Sequence, residues 1–465
     1  MFISGVEITN FRLFGTGTQY KIINFNVPDG EAPGSGINVF VGENGCGKTT
    51  LLDALSLPLL EYKSESFSID DMNSPESQTT ISIFSHDEFT VKSTMPKGSF
   101  KAKGFMFKAG VRSRNAKNYF SSIIVSDQQY IKVDPAKPTD GSPDLRVGVN
   151  NPFSGKRFNE NDILFLDKNR YYQTKTGSFN QTRFDRLMED LDYQYIKGSE
   201  SVIDMNALFS EGIRKAKVSS DYLTSSIAEF KRITGISMNL DFVDNYHPFR
   251  EASFVHRKDN HQQIKLASMG SGYEMIFSLI YSYHLALQSK KQLIILIDEP
   301  ELHMHPALQE KLINFLLDIS KDAQVFVSTH SALLIKQLSG NQNAKIMILQ
   351  RENEPIEMAE RKLPYLSANE TNYLAFGLPT EEYHTELYEY LKSIYGEDKS
   401  YKDFDRSFFI EEKGESKQSP WKGHPNEVSL NTFVRNQIHH PADNGSPDLG
   451  NLRTSIDTMR SYIKS

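Results

Sequence analysis

Two short segments of this 465-residue chain combine residue types that can grip and cleave a phosphoanhydride. The first is Gly42-Glu43-Asn44-Gly45-Cys46-Gly47-Lys48-Thr49, which fills the pattern G-x-x-x-x-G-K-[ST]. It lies between a short apolar run, Ile37 to Val41, and a helical pattern, Lys48 to Leu60. In such a loop the backbone N–H groups converge on phosphates and the helix N-terminus adds partial positive charge. Lys48 reaches the β and γ phosphates and Thr49 can hold Mg2+, with Thr50 completing the nucleotide-binding stretch. The second segment is Leu293 to Pro300, a β-branched apolar run that ends in two carboxylates. Asp298 is suited to help hold the metal, and Glu299 to polarise a water for in-line attack on the γ-phosphate.

These residues need a scaffold that brings them together, and the hydrophobic pattern supplies one. Phe2 to Thr9 and Tyr20 to Val27 alternate as strands, a Pro/Gly/Ser-rich turn follows at Pro33 to Gly36, and strand, glycine loop and helix then form one unit. From residue 61 to about 260 the chain is polar and mixed. Strand-like pieces stand there at Thr80 to Phe84 and Ile163 to Leu166, helical stretches at Gln181 to Ile196 and Val202 to Ile233, and a hairpin turning at Lys258-Asp259-Asn260. A helix from Tyr273, a strand Leu293 to Ile297, a helix from Pro306, a strand Gln324 to Ser328, a helix from Ala332 and a strand Ala344 to Leu349 follow in turn. Strands alternating with helices predict an α/β fold with a mostly parallel sheet. After Leu363 the strand pattern stops: Thr380 to Tyr395 reads as helix, Gly396 to Asn426 as a charged loop, and Ser429 onward as helical pieces. The expected organisation is a head of residues 1–60 and 262–363, an inserted mixed α/β lobe of 61–261, and an α-helical C-terminal appendage of 364–465.

Composition narrows the function classes. The length is about three times a typical ~150-residue domain, so two or three lobes are expected. Lys plus Arg number 52 against 59 Asp plus Glu, for a formal charge of -7, so bulk charge gives no support to nucleic-acid binding. Cys46 is the only cysteine, which excludes an intramolecular disulfide framework and a four-cysteine zinc site and fits a reducing compartment. The opening MFISGVEITNFRLF lacks the basic and apolar regions of a secretory signal, and the most apolar runs fall short of the ~20 residues that span a bilayer. A cytoplasmic protein without a membrane span is expected.

Taken with further motifs, the chain resembles an ABC-type P-loop ATPase of the SMC, RecF and OLD group. Met269-Gly270-Ser271-Gly272 before a helix resembles the group's signature motif, Asp298 to Pro306 its D-loop run, and Ser328-Thr329-His330-Ser331 its switch-histidine motif. The opening Ile8-Thr9-Asn10-Phe11-Arg12 is also typical. The resemblance covers residues 1–60 and 262–350. It implies ATP and Mg2+ as ligands, contact of His330 with the γ-phosphate, and a head-to-head homodimer or higher homo-oligomer. In that dimer Ser271 and Gly272 of one chain cap the phosphate loop of the other. His303 and His305 belong to the D-loop in this resemblance rather than to a metal site. The insertion shows no sustained heptads, so the long coiled-coil arm of SMC proteins is not expected. Gln78 is the nearest candidate for the Q-loop glutamine.

The tail carries Arg435-Asn436-Gln437-Ile438-His439-His440, which resembles the RNxxxH motif of HEPN ribonucleases. There an arginine steadies the scissile phosphate and a histidine moves the 2′-hydroxyl proton. Arg435 and His439 share a helical face, whereas His440 is one residue further and precedes Pro441, so a structural or docking tail is the competing reading. Heads of this kind with a helical appendage resemble ATPase subunits of bacterial anti-phage systems such as Septu and PARIS, which restrain or trigger a separate effector nuclease. Three functions follow: a regulatory ATPase for a partner nuclease, a self-contained ATPase–ribonuclease with Arg435 and His440 at its second site, and a RecF-like repair ATPase that binds nucleic acid.

Overall fold

The computed structural model describes residues 2–16, 20–57, 67, 69–94, 97–113, 116–126, 129–132, 163–166, 171–173, 180–182, 221–241, 253–258, 262–265, 271–288, 292–302, 304–351, 356–358, 361–417, 419–421 and 424–463. The chain divides into two compact units, residues 1–347 with 351–356, and residues 348–350 with 357–465.

The first unit contains the strands that carry the glycine loop and the paired carboxylates. Ile37–Val41, Gln324–Thr329 and Ile294–Asp298 lie side by side and parallel, with Ile163–Leu166 beyond the last. Every residue of the three central strands is buried, as near-continuous β-branched and aromatic runs covered on both faces require. Phe326 packs edge-on against Phe25 at 5.0 Å and stacks with Phe40 at 6.2 Å. The register sets Asp298 opposite Ser328, Ser328 opposite Phe40, and Thr329 opposite Val41. All three strands therefore end on one edge, and the loops that follow them leave from the same place.

A second sheet, of six strands, is antiparallel, in the order Tyr20–Ile23, Ile3–Thr9, Thr79–Thr94, Lys97–Ser113, Ala116–Ser126, Gln129–Lys132. The strand expected at Thr80 to Phe84 is thus one third of a 16-residue strand. Ile81 and Ile83 are buried, but after Phe84 come the polar Ser85, His86, Asp87 and Glu88, so the alternating signal fades while the strand continues. The two sheets are joined by a carboxamide. Gln324, fully buried, accepts from Ile3 N–H at 2.7 Å through Oε1, and its Nε2 donates to the carbonyls of Ile3 at 2.7 Å and Asn26 at 2.8 Å. Asn38 repeats the device, accepting from Asn26 N–H at 2.7 Å and donating to its carbonyl at 2.9 Å. Gly36, at the entry to the central sheet, is demanded by space: a Cβ there would lie 2.4 Å from the Ser320 carbonyl oxygen.

Elsewhere the insertion departs from expectation. Gln181 and Thr182 end the short strand Asn180–Thr182 paired with Tyr171–Gln173, where a helix from Gln181 was expected; residues 183–196 lie outside the described residues. Of the helix expected from Val202, the described part is Asp221–Thr234. The hairpin is present as Ser253–Lys258 against Gln262–Lys265, its turn residues Asp259 and Asn260 lying outside the described residues.

The second unit is mainly helical, with Ala368–Phe376, Glu381–Tyr395, Leu430–His439 and Leu449–Tyr462 as its longer helices. Tyr383, Leu387, Tyr388, Leu391, Phe404 and Ile456 lie at the centre of its own core. The expected charged loop Gly396 to Asn426 is instead structured. A short helix Tyr401–Phe404, a π-helix Asp405–Glu412 and the strands Ser419–Trp421 and His424–Val428 occupy it. Phe404, Phe408 and Phe409 anchor that segment, and their burial outweighs the charged residues between them. Glu370, fully buried, is held by Arg460 at 2.8 Å and by the N–H of Lys362 at 2.7 Å. No helix among the described residues is long and apolar enough to cross a membrane.

Gln324→Leu keeps the volume but removes the partner of both Ile3 main-chain groups. It is expected to lower unfolding stability by about 2–4 kcal/mol, read as a lower denaturant midpoint at unchanged slope. A midpoint equal to wild type would show that the carboxamide does not hold the sheets together.

Candidate nucleotide site

The glycine loop leaves Val41 and turns into the helix Lys48–Ser56 through backbone that side chains rarely adopt. Gly42, Gly45 and Gly47 have φ of 152°, 81° and 98°, and a Cβ on Gly45 would meet no neighbour within 4 Å. Glycine is needed there for conformation rather than for space. Gly42, Cys46, Gly47, Lys48 and Thr50 are buried, Thr49 is half-buried, and Glu43, Asn44 and Gly45 are exposed at the loop tip. Lys48 Nζ donates to the carbonyls of Gly42 and Glu43, both at 2.8 Å, and lies 3.7 Å from Cys46 Sγ. Burial pushes the Lys48 ammonium below its usual range, opposed by its contact with Cys46 and by the charges of Glu299 and Asp298. Burial likewise pushes the Cys46 thiol up.

Register places the carboxylates opposite this loop. Thr49 Oγ1 lies 3.1 and 3.0 Å from the two Asp298 oxygens, and Ser328, level with Asp298 on the next strand, donates its hydroxyl to Asp298 Oδ1. The donor set is hard oxygen, a hydroxyl beside a buried carboxylate, which fits Mg2+ with further positions left to water and phosphate. Glu299 leaves the strand in the left-handed region, φ 49°, which costs a non-glycine residue of order 1 kcal/mol. Its N–H is held by the Ser328 carbonyl at 3.0 Å and hydroxyl at 3.3 Å, and this turn redirects the carboxylate from the strand axis. Glu299 Oε1 stands 3.8 Å from His330 Nε2, both side chains part-exposed. The structure thus brings Lys48, Thr49, Asp298, Glu299 and His330 to one edge. His330 does not cap the following helix; Ser331 does, accepting from Leu334 N–H at 3.3 Å.

The remaining candidate residues do not join that edge through any of these contacts. Ser271 opens the helix Ser271–Gln288 and Gly272 is buried in its first turn, while Met269 and Gly270 lie outside the described residues. His305 caps the helix Pro306–Ile319 by accepting from Ala307 N–H at 3.3 Å, and His303 lies outside the described residues. Among the described residues no group of three or more His, Cys, Asp and Glu side chains is arranged to hold a metal. Gln78 is exposed just before the strand Thr79–Thr94. Arg435 and His440 lie in the helical unit. Arg435 is buried with its guanidinium 3.5 Å from the Tyr401 ring centroid, and its Nε finds no hydrogen-bond partner. His440 is exposed where the helix Leu430–His439 ends, at φ -136° and ψ 59°, ahead of Pro441. His439 shares Arg435's face, and burial together with the Arg435 charge lowers its pKa.

Sequence reasoning did not assign two contributors. Ser328 carries the carboxylate partner visible only in the strand register, and Arg12 spans from Asp53 on the loop helix at 2.5 Å to Asp71 at 2.8 Å. Both residues stand in quoted motifs, but nothing in a one-dimensional string says what they face.

Fold and site together define a P-loop nucleotide-binding protein. The chain belongs to the family described as AAA domain, putative AbiEii toxin, Type IV TA system, which it matches over residues 37–336. It is 23% identical over 336 residues to Protein ea59 of Escherichia phage lambda, a match covering 70% of this chain and 51% of that protein. The chain therefore spans about half the length of that curated relative. Among solved structures it is similar to an Smc head bound to the C-terminal winged-helix domain of ScpA, with TM-score 0.48, 14% identity, and coverage of 77% and 97% of the two chains. It is also similar to the SMC head domain from Thermotoga maritima, with TM-score 0.40, 13% identity, and coverage of 78% and 100%.

Lys48→Ala removes the one ammonium at the loop. It is expected to weaken binding of a fluorescent ATP analogue at least about tenfold, because the buried phosphate charge loses its point-charge partner. Titration of wild type and variant under equal Mg2+ measures this, and equal affinities would remove Lys48 from the site.

Proposed function

We propose that the protein binds and hydrolyses ATP at the edge where Lys48, Thr49, Asp298, Glu299 and His330 meet. The observation that carries this reading is the Thr49 hydroxyl lying within 3.0–3.1 Å of both Asp298 oxygens, beside Lys48 and across from Glu299. The loop N–H groups of residues 43–50 and Lys48 would bind the phosphates, with Lys48 exchanging the Gly42 and Glu43 carbonyls for phosphate oxygens. Mg2+, held by Thr49 and Asp298, would neutralise charge on the β and γ oxygens. Glu299 takes the proton of the attacking water as its oxygen bonds to the γ-phosphorus and the bond to the bridging oxygen breaks, releasing ADP and phosphate. His330 contacts the γ-phosphate from the same head.

In this reading residues 1–60 and 262–363 form the ATPase head, 61–261 an inserted lobe that lends Thr79–Thr94 and Ile163–Leu166 to the sheets of the head, and 364–465 a helical domain. Two heads close around ATP, Ser271 and Gly272 of one capping the loop of the other, so nucleotide acts as a ligand that favours the dimer. The family's description names a putative toxin of a type IV TA system; the likeness of the motifs to ATPase subunits of anti-phage systems is what supports the further proposal of a role in bacterial anti-phage defence, in which the head regulates a separate effector nuclease. A cytoplasmic location suits that role.

A second reading is supported by one observation: the helical unit has its own core and exposes His439, one helical turn beyond the buried, Tyr401-stacked Arg435, and His440, which follows at the helix end. In it the tail is itself a metal-independent ribonuclease, with Arg435 steadying the phosphate and His440 moving the proton.

Glu299→Gln is expected to keep ATP binding, to slow hydrolysis at least about 100-fold as loss of a general base does, and to prolong the closed dimer. Steady-state turnover and light scattering check it, and a wild-type rate would take Glu299 out of the base role. Mixing Lys48→Ala with Ser271→Arg chains should restore one composite site per dimer; mixed dimers without recovered ATPase would rule out capping in trans. For the second reading, wild type should cleave RNA in EDTA, and Arg435→Ala or His440→Ala should abolish the cleavage. Absence of cleavage, with and without ATP and phage triggers, would leave docking as the role of residues 380–465, with co-purification of a nuclease favouring the effector reading.

A further inference from the structure

The turn after Glu299 carries a hydrogen-bond cluster that the proposed nucleotide contacts do not use. Glu301 Oε1 accepts from Thr329 Oγ1 and from the His330 main-chain N–H, both at 2.8 Å. Ser331 N–H donates to Thr329 Oγ1 at 2.9 Å. Behind them Gln309 Nε2 donates to the carbonyls of Glu301 at 3.3 Å and Met304 at 3.0 Å, and Gln309 Oε1 accepts from Ser331 Oγ at 3.5 Å. One carboxylate oxygen thus grips the end of the neighbouring strand at the residue before His330 and at His330 itself. The same short turn carries Glu299, since Leu302 N–H donates to the Glu299 carbonyl at 3.2 Å.

The other oxygen, Glu301 Oε2, is buried without a hydrogen-bond partner, and burial raises the Glu301 carboxyl above its usual range. A buried carboxyl with half its acceptors idle is a costly way to fill space, since an apolar side chain of similar size would avoid the desolvation. Its use at this position lies in the two bonds that Oε1 makes.

We propose that Glu301 is a positioning residue for His330, fixing the main chain at Thr329 and His330 so that the imidazole stays beside Glu299 over the nucleotide. This rests on the reading of Glu299 and His330 given above. Glu299 and His330 follow the ends of two neighbouring strands, and Glu301 converts them into one rigid group whose spacing is set without contact between Glu301 and substrate. Gln309 supports the group from the first turn of the helix Pro306–Ile319.

Three measurements on the full chain test this. Glu301→Ala should leave affinity for an ATP analogue within about twofold and lower kcat at least about tenfold, a split that general unfolding would not produce. Combined with His330→Ala it should lower kcat no further than His330→Ala alone, because both remove one function. Independently of hydrolysis, amide exchange at His330 should accelerate at least about tenfold in Glu301→Ala and stay protected in Glu301→Gln, which retains Oε1 and should keep kcat within about threefold. Glu301→Met, similar in length and without an acceptor, carries the same test where the alanine cavity unfolds the head. Losses that multiply in the double variant, or His330→Ala impaired while Glu301→Ala is not, would overturn the positioning role alone. Wild-type hydrolysis in His330→Ala would sink the His330 reading and the positioning role with it.

Discussion

The site depends on three buried parallel strands ending level with one another. Asp298, Ser328 and Phe40 share one row of the ladder, and Val41 faces Thr329 in the next. A slip of one residue in the Ile294–Asp298 strand would turn Asp298 to the other face of the sheet and carry Glu299 with it. Register here is held by burial of every residue in the three strands, so apolar packing in the core sets the distances at the polar edge. The hydroxyls of Thr49 and Ser328 then hold the Asp298 carboxylate from two sides, which satisfies a charge that is only 2% exposed.

Much of this was legible in the amino-acid order because the chemistry is local. A glycine loop needs its glycines within a few residues of one another, and Gly42, Gly45 and Gly47 all adopt positive φ. Buried strands also announce themselves by unbroken apolar runs. What the order concealed is of two kinds. Long strands with one solvated face lose their pattern once polar residues occupy both faces, and so only Thr80 to Phe84 stood out from the strand Thr79–Thr94. Segments rich in charge read as loops when a few aromatics anchor them, as Phe404, Phe408 and Phe409 do between residues 396 and 426. Partnerships across strands, such as Ser328 with Asp298 or Glu301 with His330, have no signature in the string at all, since they arise from neighbours in the sheet.

The helical unit illustrates how a motif and its environment can pull apart. Arg435 and His439 are one turn apart on a helix, as their spacing requires, yet Arg435 lies against Tyr401 and His440 has left helical geometry before Pro441. His384, fully buried, donates or accepts with Ser455 at 2.8 Å, and burial with the nearby charges of His439 and Arg435 pushes its pKa down to about 3. A neutral imidazole and a stacked guanidinium share the interior of this unit, and its polar groups are spent mainly on holding helices together.

The joint at Gln324 has a temporal consequence. Its side chain closes onto Ile3 across 321 residues, so the bond cannot form on the ribosome until most of the chain has been made. At about 5–20 residues per second, the first strand waits roughly 16–65 s for that partner, with Ile3, Val6 and Ile8 to be covered meanwhile. Pairing with Tyr20–Ile23 and Thr79–Thr94 is available much sooner, which makes the antiparallel sheet an early shelter for the N-terminus. The carboxamide then acts as a latch that ties the N-terminal strand to the later-made strand Gln324–Thr329.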